Sequence, residues 1–460
     1  GCVAQSGRYS ILISVGPQVG TGSSRKIKIE IILSEGLKMK EVMLRNEKID
    51  SKRLALEIDN WLSSLAVQPK KVLLLPPDFT RFHSKAGLIV QLLYKALVPQ
   101  TQVEIMPALG THVPMGKEEL EIMFGTEIPK SCFLAHDWRN DVVNIGEVPG
   151  DFVSEISGGL VSYPIGVEIN KRLLDKSYDL IVSIGQVVPH EVVGMANFSK
   201  NIFVGCGGED IINKSHFLGA AYGMEKMMGR DHTPVRKVFD YAEEHFLTEV
   251  PLQYILTVTT TKGPETTING LFIGRNRRLF EEAVLESQKQ NLDLLERPLS
   301  KVVVYLDPGE FKSTWLGNKA IYRTRMAIAD DGELIILAPG LKQFGEDMVI
   351  DALIRKYGYV GSKRVLELVD KEEDLKNNLS AAAHLIHGSS EGRFKITYAP
   401  GHLSKEEIEQ VNFSYLPLEE AMERYNPAHL KDGLNTLENG EELFFISNPA
   451  LGLWALKEKF

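Results

Sequence analysis

Cysteine is scarce. The 460 residues hold three, Cys2, Cys132 and Cys206, far apart and in no CxxC pair. This excludes a disulfide framework and a zinc site built on paired cysteines, and a reducing, cytoplasmic compartment is the expectation. Long apolar runs are missing too: no stretch approaches the ~18 residues that cross a bilayer, so no membrane partner is expected. Nor is there a surplus of positive charge. The 52 Lys+Arg stand against 61 Asp+Glu, a net of −9, and a surface of that sign does not draw nucleic acid. What is present, 43% hydrophobic and 25% charged residues, suits a globular chain. At ~150 residues per domain the length predicts two or three domains, each with its own core.

Residues 8–15 and 26–33 read as two strands, the second alternating Lys-Ile-Lys-Ile-Glu-Ile, joined by a Gly/Ser-rich hairpin loop. A helix is expected from Ser51, its N-cap, to about Leu65. The pattern then changes to short apolar strands that end in loops and lead into helices: KVLLLPPD, a helix near 85–98, VEIMPALG, a helix near 117–124, YDLIVSIG, and helices after Gly208 and Thr233. That alternation is the βαβ signature of a parallel sheet covered on both faces. YILTVTTT, NGLFIG and a helix over about 276–295 close this part. Beyond ERPLS (296–300), KVVVYLD, ELIILAP, FKITYAP and ELFFISN again alternate with helices. The expectation is two Rossmann-like α/β domains with the active site in the cleft between them. The larger covers 1–295, the smaller 296–460, with the last segment packing back on the first.

Three loops leave the carboxyl ends of expected core strands. KVLLLPPDFTR presents Asp78, Thr80 and Arg81; VEIMPALGTH presents Thr111 and His112; YDLIVSIGQVVPH presents Gln186 and His190. Ligands of open α/β sheets bind at that edge, so the three loops can converge on one crevice. Taken singly, each has a plainer reading: Asp78 as a helix cap, Arg81 as a surface charge, each histidine as a satisfied polar group. Taken together, they make His112 and His190 the acid/base candidates, since imidazole titrates near neutrality.

Lys200 follows His190 by ten residues, among apolar and small neighbours. A desolvated lysine has a depressed pKa and can act as a nucleophile or an attachment point. The Gly205-Cys-Gly-Gly208 turn then opens a helix with Glu209 and Asp210 in its first turn. Two acids there oppose a phosphate, so a tight turn is the stronger reading. His216 follows on the same helix. His384 and His387, three apart in AAAHLIHG, could form a helical metal pair, but a helix end before a glycine stop is the simpler reading.

Asp78-Phe-Thr-Arg81, Gly110-Thr-His112, Pro189-His190, Lys200 and His216, in this order and spacing, resemble the nickel-pincer-dependent lactate racemase family and its 2-hydroxy-acid racemase and epimerase relatives. The resemblance runs from about residue 40 to the C-terminus. It implies a racemase or epimerase that inverts C2 of a 2-hydroxy acid by hydride transfer to and from a nickel pincer nucleotide (pyridinium-3,5-bisthiocarboxylic acid mononucleotide with Ni) made by other proteins. In its terms Lys200 is the attachment site, His216 the nickel ligand, and Asp78 and Thr80 cofactor contacts. His112 and His190 are the acid/base pair, and Arg81 and Lys319 are substrate contacts. Two departures stand out. Asn197-Phe198-Ser199 replaces the glycine pair and basic residue of the lactate type, and STWLGNKAIYRTR offers Lys319 but no glutamine. A more polar pocket points beyond lactate to a larger acid such as an aldonate. Alternatives are another hydride-shuttle isomerase of sugar acids, or a non-catalytic nickel- or nucleotide-binding protein, which needs no pair of acid/base groups.

Overall fold

Val72–Leu75 and Leu180–Ile184 are buried on both faces, as the central strands of a covered parallel sheet must be. The computed structural model, which describes residues 9–14, 26–31, 40–262 and 265–460, places both in a six-stranded sheet. Its order is Val42–Ile49, Glu265–Gly274, Leu252–Lys262, Leu180–Gln186, Lys71–Leu75, Gln102–Ile105. The last four are mutually parallel, so their carboxyl ends share one edge. The sheet is not parallel throughout, as expected from the βαβ pattern. Leu252–Lys262 turns directly into Glu265–Gly274, and so short a connection permits only an antiparallel pair. Val42–Ile49 then adds antiparallel at the edge.

The second six-stranded sheet runs Ser414–Tyr415, Phe394–Pro400, Ile328–Ala338, Leu299–Tyr305, Glu442–Ile446, Gly433–Thr436. All its pairs are parallel except the last. The four apolar runs expected as strands beyond residue 300 all form. This is a two-domain α/β fold. Tyr9–Ser14 and Lys26–Ile31 pair antiparallel, while the Gly/Ser-rich loop between them lies outside the described residues.

Two helix ends differ from expectation. Asp50, not Ser51, caps the first helix, its carboxylate accepting from the Arg53 N–H at 2.8 Å. The helix expected to reach 295 stops at Asn291, because Asp293–Leu295 pairs in parallel with Trp454–Leu456.

Helix Glu209–Tyr222 ties the domains together. Ile211, Ile212 and Leu218 enter the core of the first domain, while Phe217 and Ala220 enter that of the second. Helix Leu379–His387 packs along it, and Ser380 Oγ meets Asn213 Oδ1 at 2.7 Å. No helix among the described residues is long and apolar enough to cross a membrane.

Candidate active site

The three loops do meet. A bridge between Pro77 and Ala108 keeps two of the strand ends side by side, and Gly110 N–H donates to the Gly205 carbonyl at 2.9 Å. Asn201 Nδ2 donates to the Leu75 carbonyl at 3.1 Å and to Ser183 Oγ at 2.9 Å, which anchors the short helix Ser199–Phe203 to two central strands. The result is a cavity of about 300 Å³, within the range of small-molecule sites. Asp78, Thr80, Arg81, His112, His190, Lys200 and His216 line it from the first domain, and Lys319 lines it from the second.

The histidines differ in what each ring presents. His112 Nδ1 lies 2.6 Å from Asp78 Oδ2. Burial opposes ionisation of Asp78, but hydrogen bonds from His112 and Thr80 and the charge of Arg81 outweigh it and hold the carboxyl below its ordinary value. An ionised Asp78 accepts from His112 Nδ1–H and leaves the Nε2 lone pair for chemistry. Its other oxygen takes the Thr80 hydroxyl at 2.5 Å. Asp78 therefore stands behind His112 as its orienting group, a place the expectation of a simple cofactor contact did not give it.

His190 is wired the opposite way. Its Nδ1 accepts from the Val192 N–H at 3.1 Å, which puts the proton on Nε2. Burial holds this imidazole well below its usual pKa, so the ring is neutral and carries its N–H on Nε2. His216 Nδ1–H donates to the Ile212 carbonyl at 2.6 Å. Burial and the Lys200 charge draw its pKa to about 4. Its Nε2 is thus an unprotonated lone pair with a fixed tautomer, the arrangement a metal-binding imidazole requires.

The cations at the cavity have no carboxylate partner among the described residues. Burial, then Arg81, draws the Lys200 amine down to about 8. Burial and Arg81 likewise lower Lys319, whose Nζ lies 5.6 Å from the Phe311 ring centroid.

Several lining residues escaped the sequence reading. Glu191 sits beside His190, 3.4 Å from the Tyr322 hydroxyl and 3.9 Å from Arg323 Nη2 of the second domain. Burial works against its charge, but the positive charges of Arg323 and Arg81 keep it well below the carboxylate range. Its signal was adjacency to a strand-end histidine. His384 and His387 do end a helix before Gly388, yet both also line the cavity. His384 stacks on Trp315 at 4.6 Å and meets the Tyr359 hydroxyl at 2.9 Å. Their signal was the His-x-x-His spacing, which places both rings on one helix face.

The fold is a two-domain α/β one whose cleft gathers histidines, a buried lysine and, among the described residues, cations without a bonded carboxylate, a setting for binding and acting on a small polar molecule. Residues 26–228 match the family model of the lactate racemase N-terminal domain. A Thermotoga maritima protein from a structural genomics consortium superposes with a TM-score of 0.76 at 24% identity, over 90% of this chain and 100% of that one. The lactate racemase apoprotein from Thermoanaerobacterium thermosaccharolyticum does so with a TM-score of 0.67 at 17% identity, over 97% of this chain and 100% of that one. At such identities the likeness is one of fold. A dITP/XTP pyrophosphatase from Hydrogenobaculum sp. (strain Y04AAS1) is 27% identical over 195 residues, 36% of this chain and 88% of that one, too short a span of this chain to assign an activity.

Proposed function

We propose that this protein inverts C2 of a 2-hydroxy acid, with a nickel pincer nucleotide linked at Lys200 and ligated by His216. The observation that carries the reading is the convergence of Lys200, His216, His112, His190 and Arg81 on one cavity. The residues fit such a group. Lys200 offers an amine with a lowered pKa and no bonded anion, and His216 offers a neutral Nε2 whose tautomer is fixed from behind. When bound, the group would supply a hydride acceptor for the C2 hydrogen, which avoids a carbanion next to a carboxylate.

The chain's own residues supply the rest. Arg81 suits a planar, two-point contact with the substrate carboxylate, and Lys319 adds a second positive charge from the other domain. His112 Nε2 takes the C2 hydroxyl proton, and Asp78 stabilises the resulting imidazolium. His190 donates a hydrogen bond from Nε2 to the oxygen of the planar 2-oxo acid and polarises it. The two histidines thus divide the work unequally: His112 holds the hydroxyl proton and returns it to the substrate oxygen when C2 is reduced from its other face, while His190 supplies a hydrogen bond and keeps its own proton. Closure of the two domains over the cavity excludes water while the substrate is at the keto level.

The test uses protein produced together with the cofactor-making enzymes and incubated in D2O with single enantiomers of lactate, malate, phenyllactate and aldonates. Inversion at C2 without deuterium there is the expected outcome. Inversion with deuterium at C2 would mean proton abstraction and would end the roles given to Lys200 and His216. An adduct at Lys200 without inversion of any acid would favour the binding-protein alternative.

A further inference from the structure

Two consecutive residues ahead of Lys200, neither of them glycine, hold positive φ: Asn197 at 67° and Phe198 at 56°. Phe198 combines this with ψ −137°, a region that side-chain-bearing residues avoid. Such a bend persists only where its surroundings over-determine it. One effect is visible in the packing. The Phe198 ring turns into the core, 4.2 Å from the Tyr254 centroid and 5.0 Å from that of Phe280. Lys200, two residues on, lines the cavity.

What holds the bend is a fully buried cation on a neighbouring helix. Arg236, from helix Pro234–Phe246, is 0% exposed. Its Nη2 donates to the Met195 carbonyl at 2.6 Å, and its Nη1 donates to the Asn197 carbonyl at 3.2 Å and to Ser199 Oγ at 2.8 Å. Its guanidinium lies 4.4 Å from the Phe280 centroid. Both Nη groups are thus spent on acceptors spanning 195–199, while the buried Nε has no partner. The nearby carboxylates Asp231 and Asp240 bond Arg277 instead, and Asp240 also accepts from Ser199 Oγ at 3.3 Å. Burying a cation without a bonded carboxylate is costly, and Met would fill the volume without that cost. The fork geometry is what Met, or a point-charge Lys, lacks.

We infer that Arg236 is a positioning residue: it clamps the strained Met195–Ser199 turn and thereby aims the Lys200 amine into the cavity. The inference rests on the proposed function for the purpose of that aim, as presentation of an attachment lysine.

The test reads geometry in the full-length apoprotein. A brief pulse of a small amine-acylating ester at pH 8 is followed by peptide mass spectrometry of Lys200 and Lys319, which line the same cavity and share its access. R236K and R236M are each expected to lower the Lys200:Lys319 labelling ratio at least fivefold, while buried Cys206 stays protected from alkylation as a check on folding. A ratio within twofold of wild type in either folded variant, or a rise, would overturn the inference, since a space-filling role is met by Met. If both variants lose Cys206 protection, S199A, which removes one acceptor of the fork, is expected to lower the ratio two- to threefold, and an unchanged ratio there overturns it too. Absence of a Lys200 adduct in protein co-produced with the cofactor-making enzymes would count against the functional reading and leave this ratio unaffected.

Discussion

Asp78 and His112 come from different loops and meet as one unit, and single residues are where the proposed chemistry is most exposed to test. D78N leaves a hydrogen-bond partner of nearly the same shape but removes the charge that orients and stabilises His112. Turnover of the cofactor-loaded enzyme should fall on the order of 10²-fold with little change in KM, and H112A by as much or more. R81M should do the reverse, raising KM about tenfold or more through a lost charged hydrogen bond. Both follow from initial rates of C2 inversion. A third residue lies outside the cavity. Burial lifts the Glu243 carboxyl to about 7, against the Tyr254 hydroxyl that donates to it at 2.8 Å. The unfolded chain ionises this group from its ordinary value of 4.5, so unfolding releases a proton and stability drains as pH rises from there to about 7. E243Q keeps the acceptor for Tyr254, and it should raise stability by about 1–3 kcal/mol above pH 7 and change little below pH 4.5. Urea denaturation at the two pH values checks this. Among these residues, Asp78, Arg81, His112 and Lys200 were legible because each follows an apolar run whose end is easy to see. Arg236 was not: nothing in its helical surroundings distinguishes a buried fork from a surface arginine.

At the scale of elements, the Gly205–Gly208 turn is a matter of room. A Cβ on Gly207 would lie 1.9 Å from the Phe203 carbonyl oxygen, and one on Gly208 would lie 2.5 Å from Glu168 Oε2. That glutamate also accepts from the Asp210 N–H at 2.9 Å, so the helix carrying His216 is capped from a neighbouring strand. G207A meets rigid backbone and should cost about 3 kcal/mol or more; G208A meets the Glu168 Cβ at 2.7 Å as well as the carboxylate that caps the helix, and should also destabilise, though by less. Thermal unfolding of the two variants ranks them. The tight turn was readable from its composition; the identity of the cap, 42 residues away, was not. The helix expected to run to 295 failed for a related reason. Asp293–Leu295 pairs with a strand about 160 residues further on, and no local pattern announces so distant a partner.

Taken whole, the molecule sets four imidazoles in its interior at the domain junction, with burial holding His190 well below its usual range and drawing His216 to about 4 and His384 and His387 to about 3. The unfolded chain protonates these rings near 6.5 while the folded chain resists until far lower. Unfolding therefore binds protons, and stability falls as pH drops below 6.5. Each ring contributes up to about 1.4 kcal/mol per pH unit in that window, which outweighs the opposite trend of Glu243. The urea midpoint should fall between pH 6.5 and 5. H387L, which removes a ring whose buried Nε2 has no partner, should soften that fall.

The helix shared by both cores has a kinematic consequence. His216 rides on Glu209–Tyr222, whose opposite faces are embedded in different domains. Should the lobes rotate to admit a substrate, this residue travels with the axle rather than with either wheel. A metal held there would keep its bearing through each opening, and the parts that swing past it would be the rim groups Arg81 and Lys319.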